Sequence, residues 1–431
     1  MVRDHRASSH ARYPQNCYLF DDLSSDSPEY GSPDISSTHE ICPPYVEGSG
    51  TSRLPGKEGA ATTVGGVSLD FVDGAAQTPV AVQAARQWKA MLSGGSTGTP
   101  KVIVDHRPAA FDPDAAMMGI PKDGVVLNPG PLYHNAPFSV SIMGLVRGST
   151  IVGMRRFDAE EALRLIDRYK VQFVNFVPTM MHRIWRLPAE VRNSYDVSSL
   201  ERVWHMAAPM PAWLKHTWIQ WLGPDRIWEL YGGTENTGST VISGAEWLQR
   251  PGSVGKPIGG AKIRAQDEAG IPLPPGSIGE LYFMPAEGPR STYHYMGATS
   301  REDAKGWDSI GDFGWVDEDG YVFLADRRTD LIISGGANIY PAEVEAALSE
   351  HPDITGVVVI GLPDEDLGAR AHAIIRLIPD ALREEVLDDM PTWLETRLAR
   401  YKIPRTFEAT DEELRDEAGK LRRSALRAAR I

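Results

Sequence analysis

Segments with the composition of β-strands alternate with amphipathic helical segments through the middle of this 431-residue chain. The acidic run at 158–161 has the pattern of a capping box and begins a helix with apolar residues such as Leu163 and Ile166. A β-rich run at 171–177 follows directly and ends at Pro178. This alternation continues toward residue 231 and predicts an α/β fold, in which parallel sheets have helices packed on their faces.

The pattern changes between residues 252 and 324. Turn signals such as PGSVGKPIGG and IPLPPGSIGE separate short strand-like pieces there, which predicts a small, mostly antiparallel β region. Another α/β portion follows, with a helix that begins at Pro341 and an apolar strand at 354–362.

The length of the chain exceeds what one hydrophobic core usually holds, so we expect at least two domains. Residues 1–60 are rich in Ser, Pro and Gly, which predicts a disordered or irregular tail. We expect a large domain at 61–326 and a small C-terminal domain at 327–431, with the boundary near 327–330.

The charge, the apolar stretches and the cysteines of the chain argue against several classes of function and site. The chain has 44 basic and 58 acidic residues, and its net charge of −14 argues against a broad nucleic-acid interface and against attraction to anionic membranes. No apolar stretch reaches the ~18 residues of a membrane-spanning helix, and no signal-peptide core is seen, so we expect a cytoplasmic protein. Cys17 and Cys42 are the two cysteines, so residues beyond the first fifty have no cysteine nucleophile, cysteine metal cluster or disulfide.

The segment LSGGSTGTPK at 92–101 combines three glycines, two hydroxyl residues and a lysine. Such a loop can direct backbone N–H groups, hydroxyl groups and positive charge at phosphate oxygens. It is not a Walker A loop, because Pro100 and Val102 stand where that motif needs Gly and Ser or Thr. A loop of this composition alone is more often a flexible connection. The residues predicted to hold phosphate are Ser96, Thr97, Gly98 and Lys101.

Four further motifs follow the loop in a fixed order: YGGTE at 231–235, Gly311-Asp312, Asp326-Arg327 and Gly419-Lys420. Together the five motifs resemble the adenylate-forming superfamily, which comprises acyl-CoA synthetases, peptide-synthetase adenylation domains and luciferases. The stretch SGGANIYPAEVE is more similar to the CoA ligases, and the stretch from WHMAAPM to YGGTE resembles the bile-acid, steroid or fatty acyl-CoA ligases.

The resemblance implies that 61–326 is an AMP-binding (adenylation) domain of several subdomains, and that 327–431 is a mobile α+β domain with a catalytic lysine. It also implies ATP-dependent activation of a carboxylic acid to an acyl-adenylate, with Mg²⁺, and transfer of the acyl group to CoA. The protein's part in such a reaction is to position the reactants and to neutralise charge on the phosphates.

In the nucleotide site, the resemblance implies roles for Gly232, Gly233, Thr234 and Glu235. Thr234 contacts the α-phosphate and Glu235 binds Mg²⁺, a hard ion that prefers oxygen ligands. A helix N-cap would explain the Thr-Glu pair equally well from local sequence alone.

Asp312 is implied to bind both ribose hydroxyls, and Arg327 the ribose or the α-phosphate. Their alternatives are a turn aspartate and a solvated charge. Lys420 is implied to neutralise charge at the α-phosphate, a role that suits the flexible lysine side chain. The usual upstream proline is replaced by Leu414 here.

Four other positions match family features. His134 corresponds to an aromatic or histidine gate beside the acyl pocket, although a lone histidine next to an aromatic residue is more often structural. Gly335 and Gly336 could let the pantetheine arm of CoA pass close to the backbone, or form an ordinary hairpin turn. Thr329 stands at the family's hinge position, where a β-branched residue restricts backbone dihedrals more than lysine does.

Two classes of function stay open at this stage. The first is an acid–CoA ligase, or a related enzyme whose acyl acceptor is a carrier protein, an amine, or nitrite in diazotisation. The second is a nucleotide-binding homologue with impaired catalysis, because fewer residues precede the phosphate loop than in most family members. A shortened front end predicts an exposed apolar face, and with it either marginal stability or self-association into a homo-oligomer that covers this face. The acid itself is not determined by the sequence.

Overall fold

The computed structural model of the protein describes residues 84–92, 101–115, 117–327, 330–416, 419, 421 and 423–431, together with three short strands earlier in the chain. Several predicted features lie outside this description: most of the tail at 1–60 with Cys17 and Cys42, the loop residues Ser96, Thr97 and Gly98, the Arg327 side chain, Thr329 and Lys420. The chain divides into two units, Asp21–Ala84 and the remainder. The smaller unit contains the antiparallel hairpin of β2 (Thr63–Val64) and β3 (Val67–Ser68).

The described strands are β1 (Tyr18–Phe20), β2 (Thr63–Val64), β3 (Val67–Ser68), β4 (Ala90–Leu92), β5 (Val102–Asp105), β6 (Val125–Asn128), β7 (Thr150–Gly153), β8 (Phe173–Phe176), β9 (Arg202–His205), β10 (Ile227–Gly232), β11 (Ser239–Ser243), β12 (Ser253–Pro257), β13 (Lys262–Gln266), β14 (Gly279–Met284), β15 (Tyr293–Met296), β16 (Asp312–Val316), β17 (Val322–Arg327), β18 (Ile332–Ser334), β19 (Ala337–Ile339), β20 (Ile354–Asp364), β21 (Gly368–Leu377) and β22 (Thr406–Ala409).

The described helices are α1 (Asn135–Val146), α2 (Ala159–Tyr169), α3 (Pro178–Trp185), α4 (Ala189–Arg192), α5 (Ala212–Leu222), α6 (Gly244–Gln249), α7 (Pro341–Ser349), α8 (Arg383–Glu395) and α9 (Arg423–Ala428), with a 3₁₀ turn at Arg400–Lys402.

A 12-stranded sheet is the largest layer, with strand order β1-β7-β6-β8-β9-β10-β11-β12-β17-β16-β14-β13. The strands from β1 to β10 in this order pair in parallel, as the alternation of helices and strands predicted. The hairpin of β10 and β11 reverses the direction, and the strands beyond it are antiparallel. The predicted antiparallel region is therefore confirmed, but its strands continue the main sheet.

The helix predicted after residue 158 is α2. Asp158 caps it, because its side chain accepts a hydrogen bond of 2.9 Å from the backbone N–H of Glu161. Leu163 and Ile166 are buried on the same face, where they join the largest hydrophobic core. Pro178 begins α3 immediately after β8, which agrees with the preference of proline for the first helical turn.

The C-terminal portion has its own sheet and core. Strands β20 and β21 pair antiparallel, β22 adds in parallel, and α7 and α8 pack against them. α7 begins at Pro341, as predicted, and buries Val344 and Leu348. The domain boundary near 327–330 stays a prediction. In the part of the chain that the structure describes, no helix has the length and apolar character that crossing a membrane requires.

Candidate active site

The carboxyl ends of neighbouring parallel strands meet at one edge of the large sheet, and four loops leave the sheet there. His134 follows β6, Val177 follows β8, Ala207 follows β9 and Thr234 follows β10. Ala207 has a φ of +75°, which is unusual for a residue with a side chain and marks a constrained loop. This edge is the usual ligand-binding edge of open α/β sheets. The gate, phosphate and metal positions predicted from sequence thus share one edge.

The loop after β10 is a tight turn. The backbone N–H of Asn236 donates to the carbonyl of Gly233 at 3.2 Å, and Asn236 itself has a φ of +54°. Its side-chain amide donates to Asp105 Oδ2 at 2.9 Å, which attaches the turn to β5. The next element is strand β11, so Thr234 and Glu235 do not cap a helix. The capping alternative is wrong because the turn feeds a hairpin.

Glycine at position 233 lets this turn fold over the Glu235 carboxylate. A Cβ atom built on Gly233 would lie 2.6 Å from Glu235 Oε2, and one on Gly232 would lie 2.6 Å from Ser239 Oγ. Any side chain at Gly233 would therefore displace the carboxylate.

Tyr295 connects Glu235 with Lys101. Glu235 is 9% exposed, and the Tyr295 hydroxyl donates to its Oε1 at 2.7 Å. The Lys101 ammonium lies 3.7 Å from the centroid of the Tyr295 ring, which is a cation–π contact. Burial and the Glu235 carboxylate raise the pKa of the Tyr295 hydroxyl well above its usual range, so it remains a proton donor. The predicted metal ligand and the last residue of the phosphate loop thus contact the same side chain.

A single carboxylate at this position suits Mg²⁺. No cluster of three or more His, Cys, Asp or Glu side chains that could hold a metal occurs among the residues described. Mg²⁺ is commonly bound by one or two carboxylates together with substrate phosphates and water, so a complete protein cage is not needed. The Glu235 oxygens provide the hard donor that this mode requires.

A cluster of charged side chains around Asp105 supports the turn that follows β10. Asp105, at 1% exposed, accepts hydrogen bonds from Arg107 at 3.0 and 2.6 Å and lies 3.8 Å from the Lys89 ammonium. Burial opposes ionisation, but the Arg107 hydrogen bonds hold the pKa of Asp105 below its usual value. Burial lowers the pKa of Lys89 to about 8, and this ammonium also binds the Asn135 side chain at the start of α1. The cluster therefore links the Asn236 turn to the helix beside His134.

Asp312 contacts a residue of the YGGTE motif. It is the first residue of β16 and is 9% exposed, and the Tyr231 hydroxyl donates to its Oδ2 at 2.8 Å. Its backbone pairs with that of Arg327 on β17. The turn precedes Asp312 at Gly311, whose φ is +88°. Asp312 is thus a fixed, buried carboxylate and not a solvated turn residue.

His134 is the N-cap residue of α1, and its side chain makes no capping hydrogen bond. Its ring centroid lies 4.5 Å from that of Tyr133, which is exposed. Gly335 and Gly336 form the turn between β18 and β19, with φ values of +56° and +81°. The hairpin alternative therefore describes their conformation, and their predicted contact with CoA stays a prediction.

The C-terminal portion approaches the same edge of the sheet. A Cβ atom built on Gly419 would lie 3.2 Å from Thr179 Oγ1 and 3.4 Å from Val177 Cγ2, so the residue before Lys420 lies beside the start of α3, the helix that follows β8. Arg186, just after α3, donates to the carbonyls of His351, Pro352 and Ile354 at 2.8, 2.6 and 3.2 Å.

A cavity of about 530 Å³ lies between these elements. Its lining includes Thr179, His182, Ala208, Trp315 and Arg415. Burial, reinforced by Arg186 and Arg183, lowers the pKa of His182 to about 4. A neutral imidazole therefore faces the cavity at physiological pH.

Three contributors were not assigned roles from the sequence: Tyr295, Asn236 and Asp105. Each contacts a partner far away along the chain, because Tyr295 donates to Glu235 and Asn236 donates to Asp105. The one local signal was the position of Asn236 directly after the YGGTE motif.

The comparisons with known proteins agree with this geometry. The family model described as AMP-binding enzyme matches residues 50–288, more than half of the chain, and that of the AMP-binding enzyme C-terminal domain matches 343–420. A feruloyl-CoA synthase of Amycolatopsis sp is 34% identical over 349 residues, which cover 78% of this chain and 68% of the relative. A 2-succinylbenzoate–CoA ligase of Bacillus licheniformis is 33% identical, with coverage of 78% and 69%.

Solved structures show the same fold. The o-succinylbenzoate CoA synthetase of Bacillus subtilis, in complex with its acyl-adenylate intermediate, matches with a TM-score of 0.64 and 29% identity over 78% of this chain and 68% of that one. ATP-bound MatB from Rhodopseudomonas palustris matches with a TM-score of 0.68 and 25% identity, with coverage of 84% and 72%. From the matched family models and these relatives, the chain belongs to the AMP-binding enzyme family.

Proposed function

We propose that the protein is an acid–CoA ligase that uses ATP and Mg²⁺. In the first step a carboxylate oxygen of the acid bonds to the α-phosphorus of ATP, and the bond from that phosphorus to pyrophosphate breaks. In the second step the CoA thiol, losing its proton, attacks the acyl carbon. The carbon–oxygen bond to the adenylate then breaks, and AMP leaves with the oxygen that came from the acid.

The contact that Tyr295 makes with both Glu235 and Lys101 supports this proposal most directly. A metal ligand and a phosphate-binding lysine must lie close together if they act on one triphosphate. Bound Mg²⁺ supplies charge neutralisation for the phosphates, and Glu235 is the residue that would hold it.

The other residues have complementary roles in the proposal. The Thr234 hydroxyl donates to the α-phosphate, and Asp312, oriented by Tyr231, accepts hydrogen bonds from the ribose hydroxyls. Lys420 neutralises the charge that develops on the α-phosphate as the carboxylate attacks. His134 borders the acyl pocket, Gly335 and Gly336 line the path of CoA, and the C-terminal domain rotates near Thr329 between the two steps.

The names of the relatives indicate acids for a test. Feruloyl-CoA synthase and 2-succinylbenzoate–CoA ligase act on aromatic acids, and a fatty acid–[acyl-carrier-protein] ligase of Streptomyces coeruleorubidus is 31% identical to this chain. That last relative favours a carrier-protein thiol as the second candidate acceptor. The panel therefore contains ferulate, 2-succinylbenzoate, dodecanoate and cholate, the last two because the sequence resembles fatty and bile-acid ligases.

The test is acid-dependent exchange of radiolabelled pyrophosphate into ATP across this panel, with and without Mg²⁺. We expect exchange with at least one acid, and thioester formation when CoA is then added. Exchange followed by transfer to holo acyl-carrier protein, and not to CoA, would replace the acceptor. Absence of exchange with every acid, in a protein that binds ATP, would instead support the impaired nucleotide-binding homologue.

A further inference from the structure

The two flanks of the predicted catalytic lysine are attached to one buried carboxylate. Glu345, on α7, is 7% exposed. Its Oε1 accepts hydrogen bonds from Arg423 at 2.6 Å and from the backbone N–H of Val359 at 2.9 Å, and its Oε2 accepts one from Arg415 at 3.2 Å. Arg415 lies five residues before position 420, and Arg423 three residues after it.

Arg415 extends this attachment to the residue next to the lysine. Its second guanidinium nitrogen donates to the carbonyl of Gly419 at 3.1 Å. The backbone N–H of Gly419 donates to the carbonyl of Asp416 at 2.8 Å, and Arg415 forms an antiparallel bridge with Leu421. Arg415 therefore contacts both described neighbours of position 420, and we call the described residues 415, 416, 419 and 421 the turn.

Arg423 attaches the same turn to the start of the C-terminal portion. Its guanidinium donates to Asp330 Oδ2 at 2.6 Å and to the carbonyl of Val359 at 3.3 Å. Burial lowers the pKa of Arg415, and Glu345 opposes this effect. The Glu345 carboxylate neutralises the positive charges of Arg415 and Arg423, which both bind it. Without this negative charge the two partly buried guanidinium groups would repel each other, so we expect the turn to rearrange.

The turn also lies beside the sheet edge that carries the proposed adenylation site. Gly419 lies beside the connection from β8 to α3, as its approach to Val177 and Thr179 shows, and one strand, β9, separates β8 from β10, which leads to Thr234. A carboxylate that fixes Arg415 consequently fixes Gly419 and Leu421, the two described neighbours of position 420.

We propose that Glu345 is a positioning residue for Lys420, acting through Arg415 and Gly419 during adenylate formation. This inference rests on the proposed function, because it takes Lys420 as the adenylating lysine. Glu345 touches no substrate in this role, so its removal affects the step that needs Lys420 and spares the step that does not.

The test compares Glu345→Gln with Glu343→Gln on the same helix. The Glu343 carboxylate accepts hydrogen bonds from Lys402, with both oxygens 2.7 Å from the ammonium, and makes no described contact with Arg415 or Arg423. Adenylation is measured by pyrophosphate exchange with the fastest acid of the panel, and thioester formation by adding CoA to the synthetic adenylate of that acid. We expect Glu345→Gln to slow adenylation by roughly 10²-fold, as misplacement of a catalytic group does, and to leave thioester formation unchanged. Glu343→Gln should change neither.

The double variant with Lys420→Ala separates positioning from a general structural effect. If Glu345 acts through Lys420, adding Glu345→Gln to Lys420→Ala causes no further loss of adenylation. A multiplied loss, or equal losses in both half-reactions of Glu345→Gln, overturns the inference. If Lys420→Ala alone leaves adenylation intact, the proposed role of the lysine fails. If it abolishes adenylation while Glu345→Gln has no effect, only the positioning role fails.

Circular dichroism verifies that the Glu345→Gln variant is folded. Should it not fold, Arg415→Lys decides the question, because lysine keeps the charge and cannot span both Glu345 and Gly419. We expect the same selective loss of adenylation from this variant, and an unchanged adenylation rate would refute the inference.

Discussion

Replacement of Tyr295 by Phe tests the link between Glu235 and the phosphate loop. Phenylalanine keeps the ring that contacts Lys101 and removes only the hydroxyl that donates to Glu235 at 2.7 Å. The carboxylate is buried, so water replaces the lost donor poorly. The variant therefore isolates one hydrogen bond to one charged group.

The size of the effect follows from that geometry. A hydrogen bond to a charged group contributes ~1.5–3 kcal/mol, so we expect the free energy of unfolding to fall by about 2 kcal/mol. Residues that orient a metal ligand typically contribute ~10- to 100-fold to metal affinity, so the Mg²⁺ requirement should rise by about that factor.

Tyr293→Phe is the matched control. Tyr293 lies two positions earlier on β15 and donates to Asp308 Oδ2 at 2.6 Å, and Asp308 has no predicted role in the site. Urea unfolding measures stability, and ATP binding at increasing Mg²⁺ concentration measures metal affinity without turnover. Both variants should lose stability, and only Tyr295→Phe should shift the Mg²⁺ titration. If its titration overlays that of the wild type, Tyr295 supports the fold alone and our account of the Glu235 environment is incorrect.

Three further outcomes are expected. Glu235→Gln should lower activity and demand more Mg²⁺ in a titration of pyrophosphate exchange, since the amide keeps the shape but loses the charge. His182 has a folded pKa of about 4 and an ordinary pKa of 6.5, so the unfolded chain binds its proton first as pH falls. The contribution of His182 to the free energy of unfolding is therefore fully present above pH 6.5 and declines toward pH 4, by about 2 kcal/mol at about pH 5. Urea unfolding of the His182→Gln variant should show no such decline from this residue. Arg186→Ala removes three hydrogen bonds to backbone carbonyls and should speed trypsin cleavage near Arg327 relative to the wild type.

Local sequence predicted those elements whose signals are local. Asp158 indicated the start of α2 and Pro341 that of α7, because capping and proline geometry depend on neighbouring residues. The parallel pairing of β7, β6, β8, β9 and β10 also followed from the alternation of helices and strands.

Pairing between distant segments could not be predicted in the same way. The contact of Tyr295 with Glu235 requires β15 to pair with β5, and nothing near residue 295 specifies a partner near residue 103. Likewise, the continuity of β11 with β12 depends on the hairpin that follows Glu235, where local sequence allowed a helix cap equally well. The Glu345 network is of this kind too, because it joins α7 to residues about seventy positions later.

The origin of the oxygen atoms in AMP tests the central claim most directly. The panel acid that supports exchange is labelled with heavy oxygen in its carboxylate and incubated with the protein, ATP, Mg²⁺ and CoA. The masses of the products are then measured by mass spectrometry. If the acid is activated as an adenylate, one labelled oxygen appears in AMP and none in pyrophosphate. Unlabelled AMP, or label in inorganic phosphate with release of ADP, would contradict activation through an acyl-adenylate.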